Sequence, residues 1–236
     1  MAGKLVLKVI KVIQETADTK TLRLSAGKPL DFRPGQFLML SKKAGSDILS
    51  RAYSISSSPT VKDYVDVTFK LYPEGKFSPL LYKLKEGDKI DGIGPMGEFV
   101  IDEKDKDVVF IAGGTGITPF MCAMRYATEK RLGNKMMLIY STRTPEEIPF
   151  RKELFALPEK NKNIRIVVTV TRPETSKEKW AGPTGRIDIA LLQKHLKDMK
   201  KPVYYLCGPP AMVEATKQLL TSAGVKEGKI KAERWG

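Results

Sequence analysis

Two cysteines and one histidine are all that this 236-residue chain offers to a soft metal or a disulfide. Cys122 and Cys207 stand in unrelated contexts, and there is no C-x-x-C pair or His/Cys cluster. The sequence therefore argues against a zinc or iron–sulfur centre made from these residues, and against a disulfide framework. Long apolar runs are missing too. "VVFIAGG" and "MMLIY" are the length of buried strands, well short of the ~18 residues that a membrane span needs. The opening stretch, "MAGKLVLKVIKVIQET", scatters lysines among its apolar positions and has no signal-peptide core. These absences lead to the expectation of a cytoplasmic protein with no membrane span.

Charge is what the chain has in quantity. The formal net charge is +14, and it is unevenly spread. Residues 1–106 carry 18 Lys/Arg against 14 Asp/Glu, whereas residues 107–236 carry 23 against 13. A basic half suits phosphate-bearing ligands, an acidic protein partner or nucleic acid, and a solvated lysine-rich surface is the plainer reading. No basic run is interleaved with aromatics, which argues against nucleic acid.

The hydropathy pattern changes partway along. Up to about residue 100, short alternating segments separated by Gly, Pro or charge read as strands: "KLVLKVIKVIQET", "TKTLRLS", "GQFLMLSK", "RAYSIS", "YVDVTFKLY", "DKIDGIG" and "GEFVID". This succession predicts a closed antiparallel barrel. One helix interrupts it, "KFSPLLYKLKEG", with Ser78 expected as N-cap and Pro79 at the first helical position. The charged segment "IDEKDKD" marks the expected boundary, with domains at 1–102 and 107–236. Beyond it, apolar strands alternate with helical stretches, the pattern of a parallel sheet in an α/β domain. Ligands of such sheets bind beyond the carboxyl ends of the strands.

Two strand-to-helix junctions fall at such ends. "AGGTGITPF" removes side chains at Gly113, Gly114 and Gly116, with Thr118 placed for an N-cap and Pro119 for the first turn, a seat for phosphate. It departs from G-x-G-x-x-G, because Pro119 stands where the last glycine would be. The second junction is "VYYLCGPPAM", with Cys207 at its strand end. In one sheet the two junctions would frame a single crevice. In the barrel half, "RAYS" places a guanidinium, an aromatic ring and a hydroxyl at Arg51, Tyr53 and Ser54. That set suits a phosphate and a flat ring.

"RAYS", "GPMGEF", "GGTGITP", "CGPP" and the terminal "ERW" follow the order and spacing of the ferredoxin–NADP⁺ reductase superfamily, and the chain resembles a compact prokaryotic member over essentially its whole length. The resemblance implies an N-terminal FAD-binding barrel and a C-terminal nicotinamide-nucleotide domain. It assigns flavin to Arg51, Ala52, Tyr53 and Ser54. A second flavin element, Gly75, Lys76, Phe77 and Ser78, faces a pyrophosphate, which favours FAD over FMN. Gly114, Thr115, Gly116, Thr118 and Pro119, with Cys207, Gly208 and Pro209, fall to the nucleotide. Ser54, Cys207 and Glu233 form the implied hydride-transfer site. Trp235 takes the place of an aromatic over the flavin, although plant-type relatives end in tyrosine and this chain ends Trp235-Gly236. Arg143, Thr171 and Arg172, together with the basic second half, tip the expectation toward NADPH over NADH. His195 is left on a helix surface. The function so implied is an NAD(P)H oxidoreductase that passes electrons to a separate acceptor. That acceptor would be an acidic carrier such as ferredoxin or flavodoxin, or an oxygenase component. A flavin protein active only inside a larger complex is the alternative, and a nucleic-acid-binding protein the remote one.

Overall fold

The computed structural model describes residues 3–234, which fall into two compact units. The first comprises residues 1–100 together with 118–129; the second comprises 101–117 and 130–236. Among the described residues no helix is long and apolar enough to cross a membrane.

Six antiparallel strands build the first unit: β1 (Gly3–Gln14), β2 (Thr19–Ser25), β3 (Phe37–Ala44), β4 (Asp47–Ser54), β5 (Val65–Lys70) and β6 (Lys89–Met96), in the order β4-β3-β6-β1-β2-β5. Strict alternation along β1 sends Leu5, Leu7 and Val9 inward and leaves Lys4, Val6 and Lys8 in water. The sheet curls until its two edge strands meet. An antiparallel bridge pairs Ile55 with Val67, and the Ser56 amide donates to the Asp66 carbonyl at 2.8 Å. A buried line of hydroxyls secures this seam. Ser56 Oγ lies 3.1 Å from Thr68 Oγ1, which lies 2.7 Å from Thr21 Oγ1, and Thr21 donates to Glu15 at 2.7 Å. The bidentate Arg23–Asp66 pair, at 2.9 and 3.0 Å, links β5 to its other neighbour, β2. These polar groups thus keep their partners where the sheet closes.

Helix α1 is short, Ser78–Tyr82, and its N-cap is Phe77, one residue before the expected Ser78. The Ser78 hydroxyl is turned back instead, accepting from the Tyr72 amide at 2.9 Å and facing the Tyr72 carbonyl at 3.2 Å. "GEFVID" forms no strand. Helix α2 (Thr118–Glu129) groups with this unit although it follows the first strand of the other. Its residues from Thr118 to Met124 are all buried, as suits a helix that is apolar nearly all round. Cys122 joins the barrel-core cluster, and Arg125 donates to the Ser56 carbonyl at 2.6 Å.

The second unit carries five parallel strands: β7 (Asp107–Gly113), β8 (Lys135–Thr142), β9 (Ile164–Val170), β10 (Val203–Gly208) and β11 (Ile230–Arg234), in the order β11-β10-β7-β8-β9. The chain runs outward from β7 to β9, then returns to place β10 on the other side of β7. The direction of strand addition therefore reverses between β7 and β10, and crevices form at such a point. Helices α4 (Ile189–His195) and α5 (Pro210–Ser222) cover one face, where Val109, Ile139, Leu192, Leu206, Val213 and Leu220 form a core. Helix α3 (Arg151–Lys160) follows β8 and packs on β9.

The charged segment before β7 is fastened to this sheet. Buried Asn134 donates to the carbonyls of Glu103 and Asp105 at 2.7 and 2.9 Å. The Tyr205 hydroxyl donates to Asp105 at 2.7 Å and accepts from the Asp102 amide at 3.1 Å and from Lys231 at 2.7 Å.

Candidate functional site

Strand β4 presents the first group of residues. Tyr53 pairs in register with inward-facing Leu38, and its ring lies against Phe77 at 6.1 Å and 23°, with Phe69 edge-on at 5.9 Å. Burial pushes the Tyr53 phenol up to about 12, with Arg51 pulling weakly the other way, so the hydroxyl stays neutral. Arg51 is exposed and donates to the Ser50 carbonyl at 2.8 Å, leaving most of its fork of donors to solvent. Ser54 ends the strand just before the seam. It is 4 % exposed, and its Oγ finds no hydrogen-bond partner among the described residues. A buried hydroxyl without a partner costs about 1–3 kcal/mol, so a ligand atom is the natural complement.

The turn from Tyr72 to Ser78 supplies a second surface. Gly75 donates its amide to the Tyr72 carbonyl at 2.8 Å. A Cβ on Gly75 would come within 3.0 Å of that carbonyl oxygen and 3.2 Å of Ser78 Oγ. Among the described residues, the following amides of Lys76, Phe77 and Ser78 make no backbone hydrogen bond outside the helix, as expected at a helix start. Amides left over at a helix start are donors that suit an anion. The Ser78 hydroxyl itself is engaged with Tyr72.

In the second unit, the residues nominated for the nucleotide gather at the carboxyl edge of the sheet, except Thr118 and Pro119, which open α2. The β7 and β10 junctions press directly together. A Cβ on Gly116 would stand 2.2 Å from the Cys207 carbonyl oxygen, and one on Gly113 would stand 2.6 Å from Met212 Sδ and 3.0 Å from Pro209. Glycine is required at Gly116, where the obstacle is backbone, whereas at Gly113 the obstacle is side chain and the end of Met212 could shift. Gly114 differs: its φ is +54° and open space lies where a side chain would be. The segment Gly114–Ile117 is a 3₁₀ turn running straight into α2. Thr118 is therefore the first α-helical residue and no separate N-cap, a correction to the expected geometry. Thr115 belongs to that turn.

Cys207 is fully buried and pairs in register with Glu233 on β11. In-register residues of parallel strands share a face, so the sheet brings these two together. Arg143 and Arg172 come just after β8 and β9, and both are exposed. The Arg172 amide donates to the Arg143 carbonyl at 2.8 Å, and the Thr171 amide and hydroxyl both reach the Thr142 carbonyl, at 2.9 and 3.1 Å. Trp235 lies outside the described residues.

Glu146, which sequence reading passes over, is the hub of this corner. Its carboxylate accepts from the Lys177 amide at 2.7 Å and the Glu178 amide at 3.2 Å, and the Ser176 hydroxyl lies 3.0 Å away. Hydrogen bonds from its own backbone amide, then from Thr144, Lys177 and Ser176, hold the carboxyl down to about 2. Its own amide and Thr144 are close by, but the loop partners that make it a hub lie some 30 residues further on, out of reach of any local pattern.

An orphaned hydroxyl at the end of β4, amides at the start of α1, and glycine junctions at the reversal of a parallel sheet are what the two units offer to ligands. The oxidoreductase FAD-binding domain family matches residues 6–101, and the oxidoreductase NAD-binding domain family matches residues 110–218. The chain belongs to the ferredoxin–NADP⁺ reductase superfamily. The glycine betaine monooxygenase reductase subunit of Chromohalobacter salexigens is 33 % identical, the match covering 99 % of this chain and 65 % of the relative. A component of the Na⁺-translocating NADH-quinone reductase of a Marinomonas species is 28 % identical, over 92 % of this chain and 63 % of that protein. The chain thus spans a little under two thirds of the length of these relatives. Among solved structures, a ferredoxin NADP⁺ reductase from Neisseria gonorrhoeae with bound FAD and NADP superposes with a TM-score of 0.85 at 27 % identity, covering 99 % of both chains.

Proposed function

We propose that the chain is a flavin-dependent NAD(P)H oxidoreductase that passes electrons to a separate protein acceptor. Bound FAD would supply hydride acceptance and onward electron release, chemistry the side chains lack. The residues supply binding, orientation and dryness. Tyr53 offers an aromatic face for a flat ring, Arg51 a fork of donors for phosphate, and the amides of residues 76–78 a seat for a second phosphate, which favours FAD over FMN. Ser54 supplies a neutral donor, held in place by the barrel seam on its carboxyl side. The unpartnered Ser54 hydroxyl is the observation that carries this reading.

In the nucleotide unit, Gly114 leaves room for a pyrophosphate to approach the backbone, while Cys207 and Gly208 flank the nicotinamide and Glu233 stands beside them. Arg143 and Arg172 support NADPH as the preferred nucleotide, because two exposed guanidiniums on hydrogen-bonded backbones suit a 2′-phosphate. NADH is the second reading, favoured by the name of the quinone-reductase relative. The acceptor is proposed to be an acidic carrier such as a ferredoxin or flavodoxin, or an oxygenase component. The latter is supported by the likeness to a monooxygenase reductase and by the chain's positive charge.

A visible spectrum of the purified chain, followed by anaerobic addition of NADPH and NADH separately, tests the proposal. A yellow protein whose extracted flavin is FAD, bleached by one nucleotide faster than the other, is the expected result. A colourless protein that refuses added FAD and FMN overturns it.

A further inference from the structure

The loop after β9 is fastened at both ends to one segment, residues 142–151. At its start, Thr171 and Arg172 hydrogen-bond the carbonyls of Thr142 and Arg143. At its far end, Ser176, Lys177 and Glu178 converge on Glu146, and Glu178 forms a two-point ion pair with Arg151 at 2.7 and 3.0 Å. Between these fastenings, Pro173–Thr175 make a single 3₁₀ turn. The anchoring segment is itself rigidly set. Pro145–Glu147 form another 3₁₀ turn, and buried Phe150 is held at φ +57°, a left-handed conformation that only a well-determined backbone sustains in a non-glycine residue.

The consequence concerns Arg172. It follows β9, an edge strand of the sheet, and its guanidinium has no partner among the described residues to orient it. Its backbone is pinned to the Arg143 carbonyl, and the direction its side chain takes is set by the turn that follows, where the Thr175 amide and hydroxyl both bond the Arg172 carbonyl, at 3.1 and 3.0 Å. Three donors from the loop meet one oxygen of Glu146, and Ser176 also faces its second oxygen at 3.1 Å; without them the loop keeps its first two residues on the neighbouring strand and the Glu178–Arg151 pair at its far end, and the turn between loses its carboxylate anchor.

We infer that Glu146 is a positioning residue for nucleotide choice: by clamping residues 176–178 it fixes the turn that begins at Arg172 and so the direction of that side chain, so that a nucleotide with a 2′-phosphate is told from one without. This rests on the proposed role of the two arginines, and the test separates the two ideas. The flavin-loaded protein is titrated calorimetrically with 2′,5′-ADP and with 5′-AMP, as wild type and as Glu146→Ala, Glu146→Gln, Arg143→Ala and Arg172→Ala. The fragments need no turnover, so a defect in electron transfer cannot mimic the result.

Losing a charge-assisted clamp should weaken 2′,5′-ADP about 10-fold in Glu146→Ala, while 5′-AMP changes by less than about 2-fold. Glu146→Gln should bind both probes nearly as wild type does, because the three loop donors share one oxygen and an amide oxygen can replace it. Equal weakening of both probes in Glu146→Ala, or no change in either, overturns the clamp when the arginine variants still lose 2′,5′-ADP. If the arginine variants bind 2′,5′-ADP as tightly as wild type, the arginine reading itself fails and takes the clamp's role in nucleotide choice with it.

Discussion

The two units prepare for their ligands in opposite ways. On β4 the nominated groups are side chains displayed in sequence, so Arg51, Tyr53 and Ser54 each bring a different chemistry to one strand end. At the β7 and β10 junctions the important feature is missing side chains, with Gly113, Gly116 and Gly208 letting one backbone lie on another. A display of side chains should fail one property at a time. A seat made of backbone should fail as a whole.

Gly116→Ala should have the largest effect, because its new methyl would stand 2.2 Å from the Cys207 carbonyl oxygen and neither backbone can yield cheaply. We expect a loss on the order of 1–3 kcal/mol or more and the disappearance of NAD(P)H-driven bleaching, with the yellow colour retained. Thermal melting and an anaerobic bleaching assay measure the two. A variant that melts and bleaches like the parent would break the comparison.

Next comes Tyr53→Ala, which should weaken FAD retention on the order of 10-fold, read by equilibrium dialysis of the flavin. Tyr53→Phe should retain it, because a phenol pushed up to about 12 is not acting as an anion. Loss of flavin in both variants would show that the hydroxyl, and not the ring, does the holding.

Ser54→Ala sharpens the contrast further. Removing an unpartnered buried hydroxyl should leave the melting temperature unchanged or slightly raised and FAD binding within about 3-fold, while flavin reduction slows by about 10-fold. Stopped-flow traces at the parental rate would remove Ser54 from the reaction.

The smallest effect concerns acid. Glu146 has its carboxyl lowered from an ordinary 4.5 to about 2 in the folded chain. A depressed carboxylate contributes its stabilisation fully above the unfolded value and loses it only as pH falls through the folded one. The 171–178 loop should therefore keep its hydrogen-exchange protection at pH 4 and lose it toward pH 2. Loss already near pH 4.5 would mean that the loop is held by something else.

Much of the fold is legible in the sequence because it is local. Alternation along β1, near-continuous apolar runs in β7 and β8, and glycine at the junctions report directly on a strand's surroundings. The amino-terminal part of β4 escapes that reading, although Ala44 pairs with Asp47 across a two-residue Gly45-Ser46 turn with φ +66° at the glycine, a recognisable hairpin signal. "GEFVID" alternates like a strand yet joins no ladder, and pattern alone cannot supply one. Ser78 looks like an N-cap because serine before proline usually is; its hydroxyl turns instead to Tyr72, six residues back. Glu146 is invisible for the opposite reason, since what makes it important is contributed by the loop after the next strand.

The anchoring of residues 102–106 carries a practical lesson for anyone dissecting the chain. A nucleotide-binding fragment begun at the first sheet residue, Asp107, would strip Asn134 of both acceptors and Tyr205 of its carboxylate and its amide donor. Stranded buried groups of that kind cost about 1–3 kcal/mol each. The cut belongs upstream of Ile101, where the acidic run can travel with the fragment as its own sealing strip.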